Sequence, residues 1–128
     1  MSLPAIFTTL SGTSAVTALI GTSPVRCYPA GNIPQGASLD PSTYMPCVTW
    51  QTIAGTVENS FDNHAPADQQ RIQVDCWDLT FSGADALHDA VRTALESIGY
   101  CVSLNGHDFD SETKRYRSSS DWTFWLLR

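Results

Sequence analysis

Charged residues are scarce in this sequence, and basic residues are the scarcer kind. Lys and Arg number 7 against 13 Asp and Glu, so the formal net charge is −6 at pH 7. Phosphate backbones and anionic lipid surfaces attract cationic proteins, so this balance disfavours duplex binding and membrane binding as the main task. The sequence also has no apolar run near the roughly 18 residues that a membrane-spanning helix needs.

Cysteines are few and widely spaced. The four of them, at positions 27, 47, 76 and 101, form no C-x-x-C pair, so the close spacing typical of zinc ribbons is missing. The start, MSLPAIFTTLSGTS, has neither the cationic segment nor the unbroken apolar segment of a signal peptide. We therefore expect assembly in a cytoplasm, no disulfides among the three possible pairings, and buried reduced thiols.

What the sequence has is enough apolar material for one core. With 128 residues, 42% of them hydrophobic, a single domain over residues 1–128 is expected. Charged residues make up 16% of the chain, against about 25% in a typical soluble domain. The cores of protein–protein interfaces are depleted of charged residues. The low charged fraction therefore has two interpretations: partner proteins cover much of the surface of this chain, or the fraction reflects ordinary variation between proteins.

No arrangement of residues in the sequence predicts an enzyme, a cofactor site or a metal site. A Cys–His pair assembled from Cys76 and His64 lacks local support, and no G-x-S-x-G motif is present. Asp108, Asp110 and Glu112 alternate like the start of a calcium loop but lack its glycine and distant glutamate. We interpret them instead as an acidic hairpin end that pairs with Arg115 or Arg117.

Apolar spacing predicts helices at the start of the chain and strands after them. Residues 3–20 repeat at three- and four-residue steps, which is typical of one broken helix or two short ones, with the break at Gly12 and a cap at Ser11 or Thr13. Short strands are predicted at residues 25–28, 47–53 and 71–79, with a long Pro- and Gly-rich loop over 29–46 and a polar loop over 54–69.

The strongest helix pattern runs from Ser82, the predicted N-cap, to Gly99, the predicted left-handed C-cap. Residues 100–104 and 116–127 then alternate as strands on either side of a turn region at 105–114. The sum is an α+β domain with a mostly antiparallel sheet of four to five strands. Its N-terminal helices and one crossover helix are expected to pack on one face, with Trp77 or Trp125 on the other.

Several stretches together resemble the tail-terminator, or tail-completion, proteins of long-tailed double-stranded DNA bacteriophages. Four sets of residues carry the resemblance, in the family's order and spacing. They are an R-x-Y-P step at Arg26, Tyr28 and Pro29; a P-Q-G turn at 34–36 and the strand start Pro46, Val48, Thr49 and Trp50; the central Gln73, Val74, Asp75, Trp77, Ala86, Leu87, Val91, Arg92 and Leu95; and the terminal Asp110, Glu112, Thr113, Tyr116, Arg117, Asp121 and Trp125.

The resemblance implies a structural protein of the virion without catalysis. Members of such families form a homohexameric ring at the neck-proximal end of the tail, where they cap the tube of the major tail tube protein, end its polymerisation and provide the docking surface for the head–tail connector. DNA only passes through the lumen, and no membrane is involved. A head-completion or stopper protein of the phage neck is the nearest alternative; a small cytosolic enzyme and a monomeric binding module are more distant ones.

Within this family, two groups of residues are the expected contact sites. For the tube we expect the polar loop, with Gly55, Glu58, Phe61, Asp62 and Asp68. For the lumen or the interface between subunits we expect the acidic turn, with Asp108, Asp110, Glu112, Arg115 and Arg117. Carboxylates that face the bore would let DNA slide, so we expect a lumen of net negative potential. The carboxylates of the acidic turn or, alternatively, those of Glu58, Asp62 and Asp68 in the polar loop would line it.

Overall fold

The structure, a computed structural model, describes residues 5–22, 25–29, 45–58, 67–111 and 114–127. Its elements follow in chain order: α1 (Ile6–Ser11), α2 (Ser14–Ile20), β1 (Cys27–Pro29), β2 (Cys47–Glu58), β3 (Ala67–Asp78), α3 (Phe81–Leu95), β4 (Tyr100–Asp110) and β5 (Arg115–Leu127). The predicted Pro- and Gly-rich loop lies mostly outside the described residues.

Two short helices open the chain, as one of the two predicted alternatives has it. Gly12 separates them, and Gly21, with φ 85°, ends the second in a conformation that glycine adopts without strain. Thr13 is the N-cap residue of α2, as one of the two predicted alternatives has it, but its hydroxyl makes no capping hydrogen bond. The hydroxyls of Ser11 and Thr13 both donate backwards to carbonyls of α1. Such back-bonding competes with capping at Ser and Thr. None of the described helices is long and apolar enough to cross a membrane.

The five strands form one sheet in the order β1-β2-β3-β5-β4. Only β1 and β2 run parallel; the other neighbours are antiparallel. Because β3 and β4 are both antiparallel to β5, they run in the same direction, and α3 is the crossover between them. Helix α3 packs on β3 and β5, while α1 and α2 pack on α3. The predicted α+β class and crossover helix are confirmed.

The core lies between α3 and one face of the sheet. Strand residues Ile72, Val74 and Trp122 are fully buried there, and Leu87 and Leu95 face them from the helix. Trp122 stacks on Phe124 with ring centroids 6.2 Å apart, and its indole N–H donates to the Ser120 hydroxyl at 2.9 Å. The polar handle of this large side chain is thus satisfied inside the core.

Both predicted ends of α3 are wrong by a few residues. Thr80 is the N-cap, since its hydroxyl accepts from the N–H of Gly83 at 3.1 Å, while Ser82 lies exposed in the first turn. The helix ends at Leu95, and Gly99, beyond it, does not adopt a left-handed conformation. Position 99 needs glycine because its backbone lies against the Phe124 ring, where a Cβ would be 2.5 Å from the nearest ring atom.

Both predicted loop regions are shorter than the sequence suggested. The predicted polar loop over 54–69 is largely strand: Gly55 pairs with Gln70, and Glu58 with Ala67. The predicted turn at 105–114 is strand up to Asp110, which pairs with Arg115. Backbone pairing between strands does not require apolar side chains. The polar residues of these segments therefore led to the prediction of loops where the strands continue.

The strand extensions create a three-stranded projection, here called the arm, that consists of residues 55–58, 67–70 and 124–127. Its first row is Gly55–Gln70–Phe124 and its last row is Glu58–Ala67–Leu127. Strand β1 pairs with β2 only as far as Trp50, and β4 pairs with β5 only as far as Thr123. Among the described residues, therefore, no strand flanks the arm on either side.

Candidate assembly surfaces

The two predicted contact groups lie at opposite ends of the sheet. Asp108, Asp110, Arg115 and Arg117 lie where β4 ends and β5 begins, an end here called the turn end. Of the predicted tube-contact residues, Gly55, Glu58 and Asp68 lie in the paired strands β2 and β3, within the arm. Leu126 lies nine positions after Arg117 along β5, which corresponds to roughly 30 Å of extended strand. One copy of the chain can therefore meet two partners at the same time.

At the turn end, Arg117 is held by a bidentate contact with Asp108. Its Nε donates to one carboxylate oxygen at 3.0 Å and a terminal nitrogen donates to the other. The hydrogen bond that Arg117 donates to Asp108 is the main cause that raises the pKa of Arg117, and the nearby charge of Asp75 raises it further. The prediction that a turn carboxylate pairs with a nearby arginine is confirmed for this pair.

The Arg117 side chain also connects the turn end to the sheet face that carries no helix. Its other terminal nitrogen lies 4.0 Å from Asp75, and its guanidinium lies 5.6 Å from the centre of the Trp77 ring. Asp75 is largely buried and accepts from the Gln73 amide at 3.1 Å. The strand pattern predicted Trp77 as one candidate for this face, and Asp75 was marked only through the family resemblance; in the structure Arg117 lies close to both.

The remaining predicted turn residues have separate environments. Asp110 accepts at its backbone carbonyl from the N–H of Lys114, a 2.6 Å bond that closes the turn. Arg115 is half-buried, with its Nε out of solvent and without a hydrogen-bond partner among the described groups. Glu112 lies outside the described residues. No described group of His, Cys, Asp and Glu has the arrangement needed to hold a metal ion.

At the arm end, the described members of the predicted tube-contact group lie in strands, whereas the sequence predicted a loop. Gly55, Glu58 and Asp68 lie in paired strands and not in a loop, because the hairpin register continues past residue 54. Phe61 and Asp62 lie outside the described residues. The backbone of this end is therefore held by cross-strand hydrogen bonds and is a structured surface.

An aromatic cluster beside the turn end was missed by sequence reasoning. Phe81 packs on His107 at 4.7 Å and edge-on to Tyr116 at 6.1 Å, and Phe109 lies 4.8 Å from Tyr116. His107 also contacts the Asp85 carboxylate at 3.0 Å. Phe81 and Phe109 are about half exposed, at 51% and 49%. The alternation of an aromatic, a polar and an aromatic residue at 107–109 could have indicated a strand that carries this cluster. The polar residues on either side led instead to the prediction of a turn.

Strand β4 exposes a second set of apolar side chains. Tyr100, Val102 and Leu104 are all exposed, with Tyr100 at 67%. Their alternation predicted the strand correctly, but not that they would remain in solvent. Two irregularities interrupt its pairing with β5, at Cys101/Ser103 and Leu104/Gly106, where Gly106 has φ 86°. Bulges of this kind interrupt the regular alternation of a strand.

The thiols are poorly suited to nucleophilic chemistry. Burial raises the pKa of Cys27 and of Cys47 to about 12 and that of Cys76 well above the usual value. All four cysteines are free, and Cys101 is half-buried. Since the thiolate is the reactive form, the candidate nucleophile Cys76 is held as an inert thiol. Its proposed partner, His64, lies outside the described residues.

Two comparisons with known proteins found matches for the chain. The family model described as tail completion protein gp17 matches residues 4–127. Among solved structures, a chain of the virion of a native gene transfer agent particle superposes with a TM-score of 0.62 at 16% sequence identity, covering 96% of this chain and 92% of that one. No curated protein sequence matches the chain.

Proposed function

Because the chain belongs to the family of the tail completion protein gp17, and is thus a structural protein of a phage-type tail, we propose that it closes the tail tube as a homohexameric ring. The ring ends polymerisation of the major tail tube protein and offers the opposite surface to the head–tail connector. The family match over residues 4–127 is the observation that carries this proposal. Assembly takes place in the host cytoplasm.

The placement of the two contact groups supports a protein that joins two partners. An adaptor between tube and connector needs two separate surfaces on one rigid body. The arm end and the turn end are opposite ends of one continuous sheet, and strand β5 spans both. We assign the tube contact to the arm end, through Gly55, Glu58, Phe61, Asp62 and Asp68.

The turn end is assigned to the lumen or to the interface between subunits. Asp108, Asp110 and Glu112 contribute carboxylates there, and Asp108 neutralises Arg117. Arg26 is also engaged within the chain, since it donates to the carbonyls of Pro46 at 2.8 Å and Leu19 at 3.1 Å. Two arginines that could attract DNA phosphates thus already have partners, which supports a bore of net negative potential. A solved ring with Arg26, Arg71 and Arg117 lining the hole would contradict it.

The proposal is tested by tube assembly. Purified tube protein from the same virus is polymerised with and without the full chain, and tube lengths and ends are measured by electron microscopy. We expect tubes of limited length that carry six-fold rings at one end. Tubes of unchanged length, with the chain bound only to portal-bearing heads, would instead identify a head-completion or stopper protein.

Charge reversal tests the tube contact separately. The double variant Asp62→Lys with Asp68→Lys, which leaves the residues of both arm edges unchanged, should keep its rings but reduce the fraction of capped tubes about tenfold. Asp89→Lys is the matched control, because Asp89 is exposed on α3, away from the arm, and its reversal changes the net charge in the same direction. Equal capping by the double variant and the control would place the tube contact elsewhere.

A further inference from the structure

The arm leaves two rows of backbone groups without strand neighbours among the described residues. Residues 55–58 form one edge of the arm and 124–127 the other, with 67–70 between them. Open strand edges bind other strands readily, and proteins usually shorten, bend or charge them to prevent it. The arm edges carry no bulge, since the register of β2 is regular from Ala54 onwards and that of β5 with β3 is unbroken from end to end. Glu58, at the end of the arm, is the one charged residue in the two four-residue edges.

The long open edge of β4 differs in this respect. Its two bulges, next to Val102 and Asn105, disrupt the regular spacing that an added strand would need. Asp108 at its far end adds an exposed charge. The outer edge of β1 is regular but only three residues long, and it ends at Pro29, which has no backbone N–H to donate. Among the described edges, those of the arm are therefore the longest that are both open and regular.

The two arm edges match each other in length and direction. Each offers four residues, and because β2 and β5 are both antiparallel to β3, they run in the same direction towards the end of the arm. A rotation that carries one copy onto its neighbour keeps the arms pointing the same way. It therefore brings the β5 edge of one copy alongside the β2 edge of the next as parallel strands.

We propose that residues 124–127 of one copy pair in parallel with residues 55–58 of the next, so that the arms of the ring close into one continuous β-barrel. This inference rests on the proposed ring and names its interface, which leaves the lumen as the assignment of the turn end. A second copy is the occupant because only this head-to-tail pairing uses both edges of every arm. A two-fold pairing of β5 with β5 would leave every β2 edge open, and one strand of a foreign protein would cover only one side.

The size of the resulting barrel fits the proposed passage of DNA. Six arms of three strands give about 18 strands, a number at which barrels leave an aqueous channel. With strands 4.7–4.9 Å apart and tilted by 35–45°, such a barrel is roughly 35 Å across between opposite backbones. A double helix fits inside that width once side chains line the wall.

Disulfide cross-linking in assembled particles tests the pairing. In a Cys101→Ser background, which removes the half-buried thiol, Thr56→Cys is combined with Trp125→Cys or, one residue along the strand, with Leu126→Cys. Neighbouring strands bring Cα atoms within the 4.4–6.8 Å that a disulfide requires. Virions are purified from cells in which the variant replaces the original chain, oxidised mildly, and run on denaturing gels.

We expect a ladder of cross-linked chains up to the ring for at least one double variant, and only monomers for each single cysteine variant. Dimers in a single variant would reveal a two-fold contact and overturn the inference. So would cross-links of Thr56→Cys to Val102→Cys, which would place β4 at the interface. A lack of ladders in virions whose tails carry six-fold rings overturns the pairing but leaves the proposed function intact, whereas tails without such rings overturn the proposed function itself.

Discussion

The backbone of Gly99 lies directly against the side chain of Phe124. A Cβ at position 99 would be 2.5 Å from Cδ1 of the ring and 2.9 Å from the carbonyl oxygen of Thr123. This contact sets how closely the segment after α3 approaches β5, because Phe124 is itself buried in the core and cannot move outwards. The start of β4 is thus fixed beside the base of the arm.

Gly99→Ala is therefore expected to destabilise the fold by about 1–3 kcal/mol, the usual cost of overpacking a filled core. Urea denaturation measures the free energy of unfolding. In a Phe124→Leu background, the same substitution should cost less, since a smaller side chain relieves part of the clash. An equal cost in both backgrounds would show that the ring is not the obstacle.

The N-terminus of α3 gives a second prediction. Thr80→Ala removes the hydroxyl that accepts from the N–H of Gly83, and should cost about 1 kcal/mol, as the loss of an N-cap does. Ser82→Ala is the control and should change stability by less than about 0.5 kcal/mol, since Ser82 is exposed and has no capping role. Thermal denaturation compares the two variants, and a larger loss of stability in Ser82→Ala than in Thr80→Ala would identify Ser82 as the cap.

This comparison shows how far sequence patterns reach. The apolar stripe of α3 at Ala84, Leu87, Val91 and Leu95 is predicted correctly, because burial of one helix face enforces its period. The exact cap is not, since Thr80 and Ser82 are both capping residues two positions apart and only the path of the chain selects one. A periodic pattern reports burial, whereas a terminus depends on a single hydrogen bond.

The candidate site was predictable to the same degree. The pairing of Asp108 with Arg117 follows from two charges that flank a turn, and the structure confirms it. The arm does not follow from the sequence, because Gly55 and the polar residues around it are typical of a loop. Strand pairing there depends on the register inherited from the buried part of β2 and β3, which no local pattern reports.

His88 gives a prediction for the effect of pH. It is 8% exposed, and burial is the main cause that lowers its pKa below the usual value of 6.5; the charges of His107 and Arg92 lower it further, while Asp89 and Asp85 oppose the shift. The unfolded chain then binds more protons at this site than the folded chain. The contribution of His88 is fully present above pH 6.5 and is lost as the pH falls towards the lower folded pKa.

The slope from one such proton is at most about 1.4 kcal/mol per pH unit. His88→Gln should flatten the dependence of the unfolding free energy on pH between about 7 and 5. His107→Gln is the control, since it keeps the buried imidazole at position 88 and should retain most of the slope, less the smaller part that the charge of His107 contributes. An unchanged slope in His88→Gln would assign the acid sensitivity to other groups.

Arg117 gives the last prediction, because its two carboxylate partners differ in exposure. The side chain of Asp75 is 11% exposed and that of Asp108 is 56% exposed. Arg117→Met keeps much of the aliphatic stem but leaves the buried Asp75 without its nearest cation, and should cost about 1–3 kcal/mol. Asp108→Asn should cost less than about 1 kcal/mol, and this loss should shrink further at high salt, since water and ions already screen an exposed pair.

If the two substitutions cost the same in urea denaturation, Asp75 gains nothing from Arg117, and the guanidinium serves only to hold the acidic turn. A double substitution of Arg117→Met with Asp75→Asn separates the cases: it should recover part of the lost stability, because it removes the buried charge together with its partner.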